Sequence, residues 1–190
     1  MQKPNSYDSV QVDFVPIELG GHTAVIKRLR ETTSKAGRPM IQIAIDFDKT
    51  DVQPDYFMAL FQNDDRPEKK WPFQGTHYIL IEDQDGRCSR SFKSFISSVE
   101  KSNNSECVWG DGFEKWFVNK KVGVVYGENE EEYNGEVKTR RRIRYFCSYD
   151  KAKDAAVPDK KFLPITAPVT QAASNDFINV PDSAEDVIPF

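Results

Sequence analysis

The chain is predicted to be mainly β, with five strands and one amphipathic helix placed between the third and the fourth. Three observations carry that expectation. Short runs rich in Val, Ile, Thr, Tyr and Phe alternate with polar residues and are bounded by Gly, Pro, Asn and Asp. Only one segment, from Phe92 to Val99, sets apolar side chains at a clear helical spacing. No apolar run approaches the length of about eighteen residues that a membrane helix requires.

The N-terminal extension, 1–19, offers Val10, Val12, Phe14 and Val15 as material for an edge strand, and Gly20-Gly21 interrupts it. The first strand is expected at 22–33, where Thr23, Val25, Ile26 and Leu29 are interleaved with Lys27, Arg28 and Arg30. Residues 34–39 form a turn in which Gly37 is free to take positive φ, and 40–47 returns as the second strand. Pro54, Pro67 and Pro72 punctuate an irregular stretch at 49–75, with one helical turn at 56–61. The third strand is expected at 76–82, stopped by Asp83-Gln84-Asp85-Gly86. Phe92, Phe95, Ile96 and Val99 then make the apolar stripe of the helix, with Ser89 or Ser91 as N-cap and Asn103-Asn104 at its end.

A short helical turn at 113–117 precedes a fourth strand at 121–127, a charged hairpin loop at 128–135 and a long fifth strand at 136–149. Three strands, a helix and two strands is the order of the OB-fold, a five-stranded Greek-key barrel with its helix between strands 3 and 4. The barrel domain is assigned to 20–150. Beyond it, Pro158, Pro164, Pro168 and Pro181 stand among Thr, Ala, Ser and Asn, which predicts a linker at 151–181. With the acidic tip at 182–190 it is expected to form a disordered C-terminal tail.

A length of 190 residues suits one domain plus a tail. Three widely spaced cysteines, Cys88, Cys107 and Cys147, do not form a disulfide framework, and the first residues lack the apolar centre of a signal peptide. The expected location is the cytoplasm. The net charge of −4 hides a polarised molecule. From Phe162 onward there is no Lys or Arg, while Asp176, Asp182, Glu185 and Asp186 are acidic; the remainder is neutral, with its cations clustered.

The strongest cluster is Lys138-Thr139-Arg140-Arg141-Arg142-Ile143-Arg144-Tyr145-Phe146. Alternation along a strand puts Arg140, Arg142, Arg144 and Phe146 on one face. Guanidinium groups beside a ring suit a single nucleic-acid strand, since cations follow phosphates while rings stack on bases, at about 1–3 kcal/mol per base. Lys27, Arg28, Arg30, Lys35 and Arg38 form a second cluster on the first strand and its following loop. In an OB-fold the loops after strands one and four flank the binding face, so both clusters are expected to border one groove. Lys70 and Trp71 in the irregular segment, and Tyr133 in the fourth hairpin, are further candidates for phosphate contact and base stacking.

One string looks catalytic. Asp46-Phe47-Asp48-Lys49-Thr50 at a strand end resembles the first motif of haloacid-dehalogenase-type phosphatases, in which one Asp attacks phosphorus and the other serves as acid/base. Asp51 stands where that motif has an apolar residue, and the alternating βα units of a parallel sheet are missing. His and Cys spacing fits no metal site, and no phosphate loop or nucleophile elbow is present. The expectation is therefore a non-enzyme without metal or cofactor. Its alternatives are a protein-interaction module that binds no nucleic acid, or a Mg-dependent phosphatase using Asp46 and Asp48.

The order of several short strings resembles phage and mobile-element proteins of Gram-positive bacteria that are thought to bind single-stranded DNA. These include Gly20-Gly21-His22, residues 32–40 (TTSKAGRPM), Ile45-Asp46-Phe47, Lys70-Trp71-Pro72 and residues 90–96 (RSFKSFI). Val122-Gly123-Val124-Val125, Glu131-Glu132-Tyr133 and Pro158-Asp159-Lys160-Lys161 continue the series. The resemblance spans about 20–163 and implies an OB-fold that binds single strands without strong sequence preference. Independently, Asp182, Glu185 and Asp186 followed by Ile188-Pro189-Phe190 resemble the acidic tip of bacterial single-stranded DNA-binding proteins. That tip implies docking to replication, recombination and repair enzymes. A homo-oligomer is compatible with the sequence.

Overall fold

The computed structural model describes residues 15–164. Five antiparallel strands make one sheet: β1 (Gly20–Thr33), β2 (Pro39–Phe47), β3 (Thr76–Leu80), β4 (Lys121–Tyr133) and β5 (Glu136–Cys147). Their order is β3-β2-β1-β4-β5. Three helices stand between strands, α1 (Tyr56–Gln62), α2 (Arg90–Asn103) and α3 (Phe113–Trp116), and α4 (Tyr149–Ala152) follows β5. No helix among the described residues is long and apolar enough to cross a membrane. The edge-strand material at Val10, Val12 and Phe14, most of the linker and the tip lie outside the described residues.

Local chemistry sets the elements. Gly37 turns the first hairpin at φ 77°, its N–H bonded to Ser34 O at 2.9 Å. The Ser89 hydroxyl accepts from the Phe92 N–H at 3.1 Å and starts α2. Asn104, left-handed at φ 46°, ends it. All four residues of the predicted stripe are buried against Ile26, Ile43, Phe47, Val124 and Tyr126, which forms the core between helix and sheet.

The fourth hairpin differs from its prediction. β4 continues to Tyr133, because Asn134 (φ 54°) and Gly135 (φ 78°) reverse the chain in two residues. The glutamates of the expected loop are instead rungs of a two-stranded ribbon, and Glu131 and Glu128 face Lys138 and Arg141 across the ladder.

The sheet does not close into a hydrogen-bonded barrel. β3 is five residues long and pairs with β2 alone, and its seam with β5 is filled by side chains. His77 meets Phe146 with ring centroids 5.5 Å apart. Burial pushes the His77 imidazole down to about 4, so a neutral ring fills the seam near neutral pH. The short 3-10 turn Phe73–Gly75 wedges beside them, its Gln74 carbonyl accepting from the Tyr126 hydroxyl at 2.7 Å.

The start of the expected linker is part of the fold. α4 packs so closely over β1 that a Cβ on Gly21 would lie 1.7 Å from the Ala152 carbonyl oxygen. The chain then runs beside β4 where β1 has ended. Lys161 pairs with it in parallel, its N–H bonding Glu128 O and its carbonyl accepting from Glu130 N, each at 2.8 Å. Gly21→Ala is expected to drive α4 off the sheet at a cost of about 1–3 kcal/mol, lowering Tm by about 2–12 °C. Trypsin should then cut sooner at Lys151 and Lys153. An unchanged melting curve and digest would show that α4 yields without cost.

Candidate nucleic-acid interface

The ladder register of β4 and β5 decides which predicted residues stand together. Tyr133 faces Glu136, Glu131 faces Lys138, Asn129 faces Arg140 and Gly127 faces Arg142. These pairs occupy one face of the ribbon. Arg140 and Arg142 thus share a face as the alternation predicts, and the register adds Lys138 and the 61 % exposed Tyr133 to it. Phe73, which the sequence reading did not single out, joins them with its ring 4.0 Å from the Arg142 guanidinium carbon.

Phe146 does not join them. The register shifts between Val125 and Tyr126, so Tyr145 pairs with Val125 while Ile143 pairs with Tyr126. This bulge takes up Arg144 as an extra residue and breaks the alternation. Ile143 and Phe146, three apart, both enter the core at 6 % exposure, and Phe146 packs on Phe95 at 4.9 Å. The predicted stacking platform is a core residue. Arg144 is tied down as well, its Nη1 donating to Asn129 Oδ1 and to Asp159 O, each at 3.1 Å. It fastens the C-terminal segment to the ribbon.

Between residues 128 and 144, five glutamates answer five cations. Glu131 grips Arg142 through both of its oxygens, the Nη2–Oε2 distance being 2.6 Å, and lies 3.5 Å from Arg140 Nε. Lys138 pairs with Glu136 at 2.8 Å. The ribbon is therefore charged but locally balanced, a feature that a count of basic residues alone does not reveal.

The first-strand cluster is less compensated. Arg28 and Lys35 are exposed, and among the described residues neither makes an ion pair. Arg30 Nε donates to Gln42 Oε1 at 2.6 Å, and Gln42 Nε2 donates to the Tyr78 hydroxyl at 2.6 Å. The register Arg30–Gln42–Tyr78 lays this polar row straight across β1, β2 and β3. Neither Gln42 nor Tyr78 was expected at the site. The available signal was the alternation of Met40, Gln42 and Ala44 against Ile41, Ile43 and Ile45. Arg38 reaches Glu82 O at 2.9 Å, while Lys27 is drawn towards Asp46 at 3.8 Å.

In the ladder the two clusters lie towards opposite ends of β1, because β4 pairs only with Gly20 to Val25 and the ribbon continues past Gly20. Segment 73–78 connects them. Arg142 lies over Phe73 at one end, and at the other Tyr78 takes the bond relayed from Arg30. The segment is the 3-10 turn Phe73–Gly75 followed by the start of β3, with Arg142 at its first residue and the Arg30 relay at its last. Trp71, just before it, is half-buried; its indole N–H donates to Ile45 O at 3.1 Å and its ring meets Phe61 at 5.6 Å. These contacts hold Trp71 partly against the core. Lys70 is exposed beside it.

The catalytic-looking string has another use. Asp46 is 1 % exposed, and its Oδ1 accepts from Phe57 N at 2.9 Å and Met58 N at 3.3 Å, capping the first turn of α1. Burial pushes its carboxyl above the ordinary value, against the lowering effect of those N–H groups. Asp48 accepts from the Tyr149 hydroxyl, which holds its carboxyl below the ordinary value. Asp46 is thus a buried carboxylate that caps α1 at the end of an antiparallel strand. No group of three or more His, Cys, Asp or Glu suited to a metal ion occurs among the described residues. Compared with known proteins, the chain matches no family model and no curated protein.

Proposed function

We propose that the protein is a sequence-tolerant single-stranded DNA-binding protein acting in phage or mobile-element replication or recombination. One observation carries the reading: segment 73–78 meets the ribbon through Arg142 on Phe73 and the β1 cluster through the Arg30–Gln42–Tyr78 relay. Phosphates would run along Arg28, Arg30, Lys138 and Arg140, and bases would meet Tyr133, Tyr78 and Phe73. The strand order supports the reading, because β3-β2-β1-β4-β5 with α2 between β3 and β4 is the connectivity of an OB-fold opened at its β3–β5 seam. The resemblance to mobile-element proteins supplies the biological setting, the cytoplasm of a bacterial host. The tip at Asp182, Glu185, Asp186, Ile188, Pro189 and Phe190 would recruit DNA-processing enzymes.

Fluorescence anisotropy of labelled oligothymidine, repeated at several salt concentrations, tests the proposal. Binding in the nanomolar-to-micromolar range is expected, with log K falling against log salt by about 0.7 for each phosphate contact. Absent or salt-independent binding overturns it. The balanced charge of the ribbon favours one competing reading, a module that binds a protein through the same surface. That reading gains if oligothymidine fails to bind and fails to displace an acidic peptide from the ribbon.

A further inference from the structure

Glu131 is placed where a phosphate would be expected. Resting on the single-strand reading above, we propose that Arg140 and Arg142 form a phosphate-binding subsite which Glu131 occupies until a nucleic-acid backbone displaces it. Arg142 offers Nε and Nη2 side by side, and Glu131 fills that fork with both oxygens. A phosphate presents paired oxygens to the same fork. Arg140 converges on the same spot, its Nε 3.5 Å from the shared Oε2. Phe73 supports the Arg142 guanidinium from beneath at 4.0 Å, and only 16 % of the Arg142 side chain is exposed. The fork is therefore held in place by its packing as well as by its present partner.

Glu131 differs from the arginine it grips. Its side chain is 32 % exposed, twice as open as that of Arg142, and it stands on a solvent-facing ribbon that leaves it room to swing aside. When a phosphate takes its place, both guanidinium groups keep an anionic partner, and the released carboxylate enters water. The exchange lets the ribbon open to DNA without stranding a half-buried charge. It also makes the subsite selective, because a ligand must offer more than the carboxylate already gives.

The experiment compares Glu131→Gln with Glu132→Gln. Glu132 is adjacent on the chain, exposed on the opposite face of the ribbon and loses the same charge, so it reports the effect of net charge alone. In the full chain, Glu131→Gln should tighten oligothymidine binding about five- to tenfold near 0.1 M salt, steepening the salt slope by about 0.7 for each arginine freed. Glu132→Gln should change affinity by about twofold or less, since exposed charges at a distance are screened. Glu131→Ala serves as a second variant, and thermal melts confirm folding. Equal effects of the two glutamine variants overturn the proposal while leaving single-strand binding intact. Loss of affinity in both Glu131 variants also overturns it, and would make the glutamate a support for the arginines. If neither the natural chain nor any variant binds oligothymidine, the single-strand reading fails and takes the subsite with it.

Discussion

Arg140→Gln combined with Arg142→Gln is expected to weaken oligothymidine binding by about 2 kcal/mol, roughly thirtyfold at moderate salt. Each charge-assisted bond to a phosphate is worth about 1.5–3 kcal/mol. The expected loss falls below the sum of two such bonds, because both arginines already hold Glu131 and binding exchanges one anion for another. The salt dependence is the sharper readout. Two lost contacts should reduce the slope of log K on log salt by about 1.4. Arg144→Gln makes the control within the same strand. Its guanidinium is fastened to Asn129 and Asp159, so its loss should lower stability and loosen the C-terminal segment while the slope stays near its original value. A double variant with an unaltered slope would remove the ribbon from the interface and leave only the β1–β3 row to explain any binding.

The two arginine variants also mark where reading the sequence succeeds and where it stops. Periodicity predicts what depends on neighbours along the chain. The α2 stripe, the Gly37 hairpin and the two faces of β2 follow from spacing alone, because burial of one face repeats with the period of the element. Phe146 fails for the opposite reason. Its face depends on a bulge, and the bulge depends on which residue of β4 sits opposite, so no property of the β5 string reveals it. The electrostatic balance was hidden in the same way. Lys138 to Arg144 reads as strongly basic until a partner strand sets glutamates beside it. Asn134-Gly135 was the local sign that this strand continues to the turn. Asp46 looked catalytic because the string Asp46-Phe47-Asp48-Lys49-Thr50 matches a short motif; its observed role is capping α1 across eleven residues of chain.

The largest effect on stability is expected from Asp51→Ala. Asp51 Oδ1 meets His22 Nδ1 at 2.8 Å and accepts from Gln53 N at 3.0 Å, while Oδ2 accepts from Thr23 N at 2.8 Å. His22 is 1 % exposed and stacks on Phe47 at 4.2 Å, so nothing else can replace that partner. Alanine strands buried donors of both His22 and Thr23, at a cost of about 3–5 kcal/mol and a fall in Tm of roughly 6–20 °C. The loss should depend on pH. Burial raises the Asp51 carboxyl, but the bonds from His22, Gln53 and Thr23 outweigh it and leave the group below its ordinary 3.8. Its contribution is therefore complete above the unfolded value near 3.8 and fades as pH falls through the lower folded value. Melting curves of natural and variant chains should approach one another below about pH 4. A gap that stays constant down to about pH 3 would place the cost in lost packing. The consequence reaches the binding surface, because the His22 ring touches Tyr126 at 5.7 Å and the Tyr126 hydroxyl holds Gln74 at 2.7 Å. Loosening that chain of contacts should free segment 73–78, where Phe73 meets Arg142 and Tyr78 takes the bond relayed from Arg30.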